Sequence, residues 1–268
     1  MKKILLGVVL SSVLFASCGA KKAEAIRVGV CAGPYGDMFV EAIQPSLEKQ
    51  GYKVQITEFS DYVQPNIALA ENEIDVNMFQ HSTYLKKFSK DHSLDLVYLT
   101  EIPTAAMGIF AEKASSIKDL PENAVIAIPN DDTNLSRALR VLAQTGEIAI
   151  NSDIDASKAT AKDVGYNPKN FTFKEVNAEI LPSVLDSVDA AIINGNYAIG
   201  AGLNLADAIY NEELEAGYFN VIAVRTADKD KDFAKKIYEI VHSQAFRSVI
   251  EDPTKQYTAF GKPEGYAK

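Results

Sequence analysis

From Ile26 onward the chain alternates short apolar runs with longer amphipathic stretches, and this alternation limits the choice of fold. The apolar runs, of which Ile26–Cys31 is the first, are rich in β-branched residues and are typical of strands. Between them lie stretches such as Ser82–His92 and Asn134–Gln144, with the apolar spacing of amphipathic helices. Strands and helices in alternation predict an α/β fold.

The element boundaries follow from the same patterns. The predicted strands are Ile26–Cys31, Lys53–Phe59, Asp75–Phe79, Leu94–Thr100, Met107–Ala111, Val125–Ile128, Phe171–Val176, Ala190–Asn194 and Phe219–Val224. The predicted helices are Asp37–Gln50 (strained or ended near Pro45), Pro65–Glu71, Ser82–His92, Asn134–Gln144, Ile180–Val188 and Lys231–Ser243. Residues 150–170 are too irregular for a prediction.

The N-terminus has the features of an export signal: a lysine pair, then the apolar run Ile4–Phe15 and small residues. The run is shorter than the roughly 20 residues that cross a membrane. Leu14–Cys18 resembles a lipobox, in which the cysteine is acylated and becomes the first residue after cleavage. We therefore expect a signal peptide over residues 1–17, lipidation of Cys18 and a tether over residues 18–25, with secretion without lipid as the alternative.

Composition excludes several classes of function. A formal net charge of −9 argues against nucleic-acid binding and leaves membrane affinity to the acyl chains. Acylation of Cys18 would leave Cys31 as the one free thiol, in an apolar run that favours a buried, inert side chain. The sequence has no P-loop, nucleophile elbow or metal-binding helix, and its three histidines are not spaced for a metal. We expect no enzyme activity, no cofactor and no metal.

Two segments combine aromatic and polar residues at the ends of predicted strands. Tyr62 follows the second strand, where Asp61 could cap the next turn. Phe79, His81 and Tyr84 lie where the third strand runs into a helix, the edge at which open α/β sheets bind ligands. These rings could form a small aromatic box, or they could be ordinary packing residues.

A third segment, Ile128–Leu139, runs from a strand through capping residues into a helix that is expected to begin near Asn134. Arg137 would then lie in the first turn, where the helix dipole disfavours a cation. An anion held between Arg137 and the free backbone N–H groups, such as a substrate carboxylate, would explain this placement. The alternative is a salt bridge to a nearby aspartate.

The chain resembles the NlpA-type methionine-binding lipoproteins, the substrate-binding subunits of methionine ABC importers. The resemblance covers nearly the whole mature chain and rests on several motifs in the expected order: Val28-Gly29-Val30 with Gly33-Pro34, the Tyr62 segment, Phe79-Gln80-His81 with Tyr84-Leu85, Ile128-Pro129-Asn130-Asp131 with Thr133-Asn134 and Arg137, Ile193-Asn194 with Tyr197, and Tyr218-Phe219-Asn220-Val221.

The resemblance implies a two-lobed periplasmic-binding-protein fold with the ligand cleft between the lobes. Lobe one would comprise residues 26–104 and 223–268, and lobe two residues 105–222. In the family's terms, a thioether pocket would be lined by Tyr62, Phe79, His81 and Tyr84, while the amino-acid head group would be bound by Arg137, at its carboxylate, and by Asn194 and Asn220.

The resemblance also implies partners and a location: L-methionine or a similar small amino acid, an ABC importer's permease and ATPase, and an envelope membrane reached through the lipid anchor only. The acceptor for the α-ammonium stays open among Asn194, Asn220, Asp131 and Glu175. Relatives commonly carry Pro and Tyr where this chain has Ala105–Phe110. A methionine-containing dipeptide or another small apolar amino acid is therefore the alternative ligand.

Overall fold

The structure is a computed structural model that describes residues 25–266. The predicted signal peptide, the lipidation site Cys18 and all of the tether except Ala25 lie outside the described residues. In the part of the chain that is described, no helix is both long enough and apolar enough to cross a membrane.

Twelve strands are present among the described residues, and each predicted strand is confirmed with ends that shift by at most two residues. In chain order they are β1 (Ala25–Cys31), β2 (Lys53–Phe59), β3 (Val76–His81), β4 (Leu96–Glu101), β5 (Gly108–Phe110), β6 (Val125–Pro129), β7 (Ala149–Ile150), β8 (Val164–Tyr166), β9 (Thr172–Val176), β10 (Ala190–Ile193), β11 (Tyr210–Asn211) and β12 (Asn220–Arg225).

The α-helices of the same region are α1 (Pro34–Met38), α2 (Gln44–Lys49), α3 (Gln64–Ala70), α4 (Ser82–Asp91), α5 (Asp132–Gln144), α6 (Gly195–Gly200), α7 (Asp232–Val241) and α8 (Gln244–Ile250). A π-helical turn, Phe39–Ile43, joins α1 to α2. Pro45 lies in the first turn of α2, where its missing N–H is tolerated, so the helix continues past the proline.

In the middle of the chain one helix was predicted in the wrong form, and one stretch carried no prediction. The segment predicted as the helix Ile180–Val188 is a 3₁₀ helix, Ala178–Ser187, with Pro182 inside it. Proline cannot donate the backbone hydrogen bond that an α-helix needs at that position. The irregular stretch 150–170 consists of short 3₁₀ turns and the small β7–β8 hairpin.

Ten of these strands form two five-stranded sheets, each covered by helices, which gives the molecule two lobes; β7 and β8 pair separately. The first sheet has the order β2-β1-β3-β12-β4, and the second the order β11-β5-β10-β6-β9. In both sheets the central strands are parallel to one neighbour and antiparallel to another. Every residue of β3 is buried, as expected for a strand between two helical layers.

Two segments cross between the lobes, residues 102–107 and residues 212–219. They lie side by side. The Met107 N–H donates to Oε2 of Glu212, and the Glu212 N–H donates to the Met107 carbonyl. The Asn220 N–H donates to the Thr104 hydroxyl. Since β12 begins at residue 220 in the first sheet, a boundary at residue 223 would cut a strand. We propose residues 26–104 with 220–266 as the first lobe and 105–219 as the second.

Candidate ligand-binding site

A small cavity lies between the lobes, where β3 and β10 end and α5 begins. All seven residues that were expected to bind ligand border it: Tyr62, Phe79, His81, Tyr84, Arg137, Asn194 and Asn220. Their contact with a ligand stays a prediction. The remaining residues of the wall were not predicted to bind ligand; they are Tyr35, Gln80, Ala105, Asn134, Gly195 and Asn196.

One side of the cavity is aromatic. The Tyr62 ring centroid lies 5.7 Å from that of Phe79 and 5.9 Å from that of Tyr84, and the His81 and Tyr84 rings are 6.2 Å apart. The local sequence explains this cluster, because β3 ends at His81 and α4 starts at the next residue, which brings Tyr84 back over the strand end. As predicted, Asp61 stabilises the turn beside Tyr62 by accepting two backbone N–H bonds.

The aromatic side also joins the two lobes. The Tyr62 hydroxyl donates to Oδ1 of Asn196 at 2.6 Å, and the Tyr62 ring stacks on Tyr197 with centroids 4.8 Å apart. Asn196 in turn donates its Nδ2 to the carbonyl of Ala32 at 3.0 Å. Tyr62 and Ala32 belong to the first lobe, whereas Asn196 and Tyr197 lie on α6 of the second. The lobes are therefore closed against each other around the cavity.

The opposite side is polar and centres on Asn134. Its Oδ1 accepts from Nδ2 of Asn194 at 2.8 Å and lies 3.3 Å from Nε2 of His81. Its Nδ2 donates to both carboxylate oxygens of Asp131, which also caps α5 by accepting the Asn134 backbone N–H. Asp131 therefore caps the N-terminus of α5. It accepts one of the free backbone N–H groups that were expected to bind an anion there.

The Asn194 side chain has an unpaired acceptor. Its Oδ1 is buried and has no hydrogen-bond partner among the described residues. An unsatisfied buried oxygen costs roughly 1–3 kcal/mol, which a donor on a bound molecule would recover. Asn220 donates its Nδ2 to the carbonyl of Phe79 at 2.9 Å. The other two candidates for an ammonium acceptor are less suitable, since Asp131 caps α5 and Glu175 is exposed on β9.

His81 is held as the neutral imidazole. Its Nδ1 accepts the Tyr84 backbone N–H at 3.1 Å, so the ring proton is on Nε2 and points to Asn134. Burial and the positive charge of Arg137 lower the pKa of His81 to about 3, although the bond to Asn134 acts in the opposite direction. The His81 ring therefore adds an uncharged surface to the cavity at neutral pH.

Arg137 is paired with a carboxylate that the sequence did not indicate. The guanidinium donates from Nε to Oε1 of Glu212 at 2.7 Å and from Nη2 to Oε2 at 2.6 Å, and both side chains are buried. Burial opposes the charge on Arg137, but the carboxylate outweighs it and raises the pKa of the guanidinium. Arg137 does form a salt bridge, which was the alternative expectation, but its partner is Glu212 rather than a nearby aspartate.

The position of Arg137 in its helix also differs from the expectation. Since α5 begins at Asp132, Arg137 lies in the second turn, and the predicted conflict with the helix dipole is correspondingly weaker. The pair with Glu212 uses Nε and Nη2, and among residues 25–266 no hydrogen bond uses Nη1. Arg137 therefore keeps one donor group for a bound anion.

Buried amide side chains that were not predicted from the sequence support the cavity wall at Gln80. Gln80 exchanges side-chain amide bonds with Asn66, and Asn77 donates to the same Asn66 oxygen at 2.9 Å. All three are buried. Amide side chains inside an otherwise apolar strand and helix are a detectable signal, because buried polar groups need partners. Cys31 is buried as expected, and burial raises the pKa of its thiol well above the usual value.

Two α/β lobes joined by two crossing segments, with a cavity at the strand ends between them, define a periplasmic-type substrate-binding protein. The chain belongs to the NlpA lipoprotein family, whose model matches residues 26–260.

Comparison with individual proteins gives the same assignment. The chain is 35% identical to a methionine-binding lipoprotein of Bacillus subtilis, covering 94% of this chain and 96% of the relative. It is similar to a nutrient-binding protein of Burkholderia cenocepacia whose structure contains bound methionine, with 38% identity and a TM-score of 0.81 over 87% of this chain and 97% of that one. The lipoprotein Tp32 of Treponema pallidum gives 33% identity and a TM-score of 0.81 over 87% and 96% of the two chains.

Proposed function

We propose that this protein is a lipid-anchored binding protein that captures methionine in the cavity between its lobes and delivers it to an ABC importer. The observation that carries the proposal is the division of the cavity into an aromatic side and a polar side. A thioether makes favourable contacts with aromatic rings, each worth about 0.3–1.5 kcal/mol. The relatives whose names or structures include methionine support the same ligand.

The polar side fits the head group of an amino acid. The free Nη1 of Arg137 can donate to the α-carboxylate. The unpaired Oδ1 of Asn194 can accept from the α-ammonium, and Asn220 can assist it. Tyr62, Phe79, His81 and Tyr84 would contact the side chain. Binding and release of this kind involve no covalent step, and we propose no catalytic activity.

Location follows from the anchor and the family. An acylated Cys18 would hold the folded lobes at an envelope membrane, facing the periplasm or the cell exterior. The tether raises the local concentration of the binding protein beside the importer without a permanent complex. A chain of net charge −9 would gain little from anionic lipids, so the acyl groups are the attachment.

The first experiment identifies the ligand. Protein purified without denaturation is unfolded, the released small molecules are identified by mass spectrometry, and the refolded protein is titrated calorimetrically with L-methionine, D-methionine, glycyl-methionine and leucine. We expect methionine to be released and to bind with a sub-micromolar dissociation constant. Tighter binding of the dipeptide or of leucine would favour the alternative ligand.

Two variants test the assigned roles. Arg137→Ala and Asn194→Ala remove the groups for the carboxylate and the ammonium, and each should weaken methionine binding by about 10- to 100-fold, which corresponds to roughly 1.4–2.8 kcal/mol. Asn151→Ala, a change at an exposed residue outside the cavity wall, is the control. Unchanged affinity in both site variants would contradict the proposed binding mode.

A further inference from the structure

The cavity wall contains one charged side chain. Of the residues that border the cavity in the described chain, Arg137 alone is ionised at neutral pH, since burial keeps His81 neutral. Glu212 lies directly behind Arg137 and does not border the cavity itself. Arg137 and Glu212 are 5% and 4% exposed at their side chains, so solvent screens their charges little.

Glu212 is held in place from three directions. Its two oxygens accept Nε and Nη2 of Arg137, and Oε2 also accepts the backbone N–H of Met107 at 3.0 Å. Its own backbone N–H donates to the Met107 carbonyl. Both Glu212 oxygens only accept in these three hydrogen bonds, and two of the donors belong to a guanidinium, as expected for an ionised carboxylate. Its charge is therefore fixed a few ångströms behind the guanidinium.

We propose that Glu212 determines the charge selectivity of the cavity. With Glu212 present, the Arg137–Glu212 pair is neutral overall and matches a zwitterionic amino acid, whose net charge is zero. Without this carboxylate, Arg137 would be an uncompensated buried cation and would favour a ligand of net charge −1. The inference rests on the proposed function, because it assumes that an amino-acid head group lies next to Arg137.

The same segment supplies a matched control residue. Glu215, three residues further on, pairs with Arg140, one turn along α5 from Arg137. Both guanidinium groups lie over the ring of Tyr218, with the Arg137 and Arg140 guanidinium carbons 5.3 Å and 4.9 Å from its centroid. The Glu215 side chain is 52% exposed and does not border the cavity. Loss of Glu215 thus removes an equal charge from the same segment, but outside the site.

The experiment compares methionine with 4-(methylthio)butanoate, which is methionine without its ammonium group and has a net charge of −1. Both are titrated calorimetrically into the wild type, Glu212→Gln and Glu215→Gln. We expect the wild type to prefer methionine, and the ratio of the two affinities to fall by about tenfold or more in Glu212→Gln, as expected for one uncompensated charge in a poorly solvated site. The ratio should be unchanged in Glu215→Gln.

A role of Glu212 in merely positioning Arg137 gives a different result. In that case Glu212→Gln would weaken both compounds equally, and the unchanged ratio would overturn the inference. The double variant Arg137→Gln with Glu212→Gln restores a neutral site without the pair, so its ratio should return towards the wild-type preference. If Glu212→Gln does not fold, Arg137→Gln takes its place: it leaves the Glu212 carboxylate uncompensated, so the ratio should move further towards methionine. A wild type that binds neither compound would overturn the proposed function and this inference with it.

Discussion

At the scale of single residues, His81 makes the stability of the protein depend on pH. The folded protein holds this ring neutral with a pKa of about 3, against 6.5 for an unperturbed histidine. Between these two values the unfolded chain binds more protons than the folded one. The contribution of His81 to stability is therefore fully present above pH 6.5 and is lost as the pH falls towards 3.

This predicts a difference between the wild type and His81→Gln. From pH 6 to pH 4, the free energy of unfolding of the wild type should fall more steeply than that of the variant, by up to about 1.4 kcal/mol per pH unit. Urea denaturation at several pH values measures both slopes. His92→Gln, a change at an exposed histidine, is the control and should keep the wild-type slope. Equal slopes in the wild type and His81→Gln would contradict the prediction.

Single residues also show how far the sequence could go. Phe79, His81 and Tyr84 lie within six positions at a strand end, so their proximity was predictable from local structure. Glu212 lies 75 residues from Arg137 along the chain, and its pairing depends on the path of the second crossing segment. No local pattern reports such a contact. Asn134 and Asn196 were missed for the same reason, since each has a partner in the other lobe, His81 and Tyr62 respectively.

At the scale of elements, the turn after β1 is fitted closely to α6. Gly33 has a φ of +118°, a region that L side chains rarely adopt, and a Cβ at this position would lie 2.4 Å from the carbonyl oxygen of Asn196. Gly33 belongs to the first lobe and Asn196 to the second. Gly51 also has a positive φ, +92°, but a Cβ there would have open space.

These two glycines are expected to contribute alike to stability but differently to methionine binding. Gly33→Ala and Gly51→Ala should both lower the melting temperature, because each places a side chain on a strained backbone, at a cost of about 1–3 kcal/mol. Only Gly33→Ala should also weaken methionine binding, by about tenfold or more, since it keeps the lobes from closing. Thermal denaturation and calorimetric titration measure the two effects. Equal affinities in the two variants would show that the Gly33 contact is not needed for closure.

The predictability of the elements follows a similar division. Strands such as β1 and β6 are apolar and β-branched, so they were located from the sequence within one or two residues. The apolar spacing of the 3₁₀ helix Ala178–Ser187 also suits an α-helix, so the sequence predicts the wrong form there. The short helix α6 was missed, since six residues make fewer than two helical turns and show no clear periodicity. Its position over the cavity is set by contacts with the first lobe.

At the scale of the whole molecule, the two lobes meet at the cleft mouth as well as around the cavity. Lys87 on α4 of the first lobe forms an ion pair with Asp132 at the start of α5, with Nζ 3.1 Å from the carboxylate. It also pairs with Asp91 on its own helix.

The pairing of β12 with β3 and β4, which returns the chain to the first lobe, was not predictable from periodicity. The lobe division came instead from the family resemblance.

The ion pair across the cleft mouth predicts a salt-dependent rate of ligand release. The side chains of Lys87 and Asp132 are 45% and 79% exposed, so the pair contributes about 1 kcal/mol or less to closure. Lys87→Met should release methionine about two- to fivefold faster at low ionic strength, and the difference should vanish near 1 M NaCl, where the screening length is about 3 Å. Stopped-flow mixing with an excess of a fluorescent competing ligand measures the rate of methionine release. Lys236→Met removes the same charge from an ion pair within α7 and should leave the rate unchanged. A faster release that persists at high salt would assign the effect to lost packing of the Lys87 stem rather than to its charge.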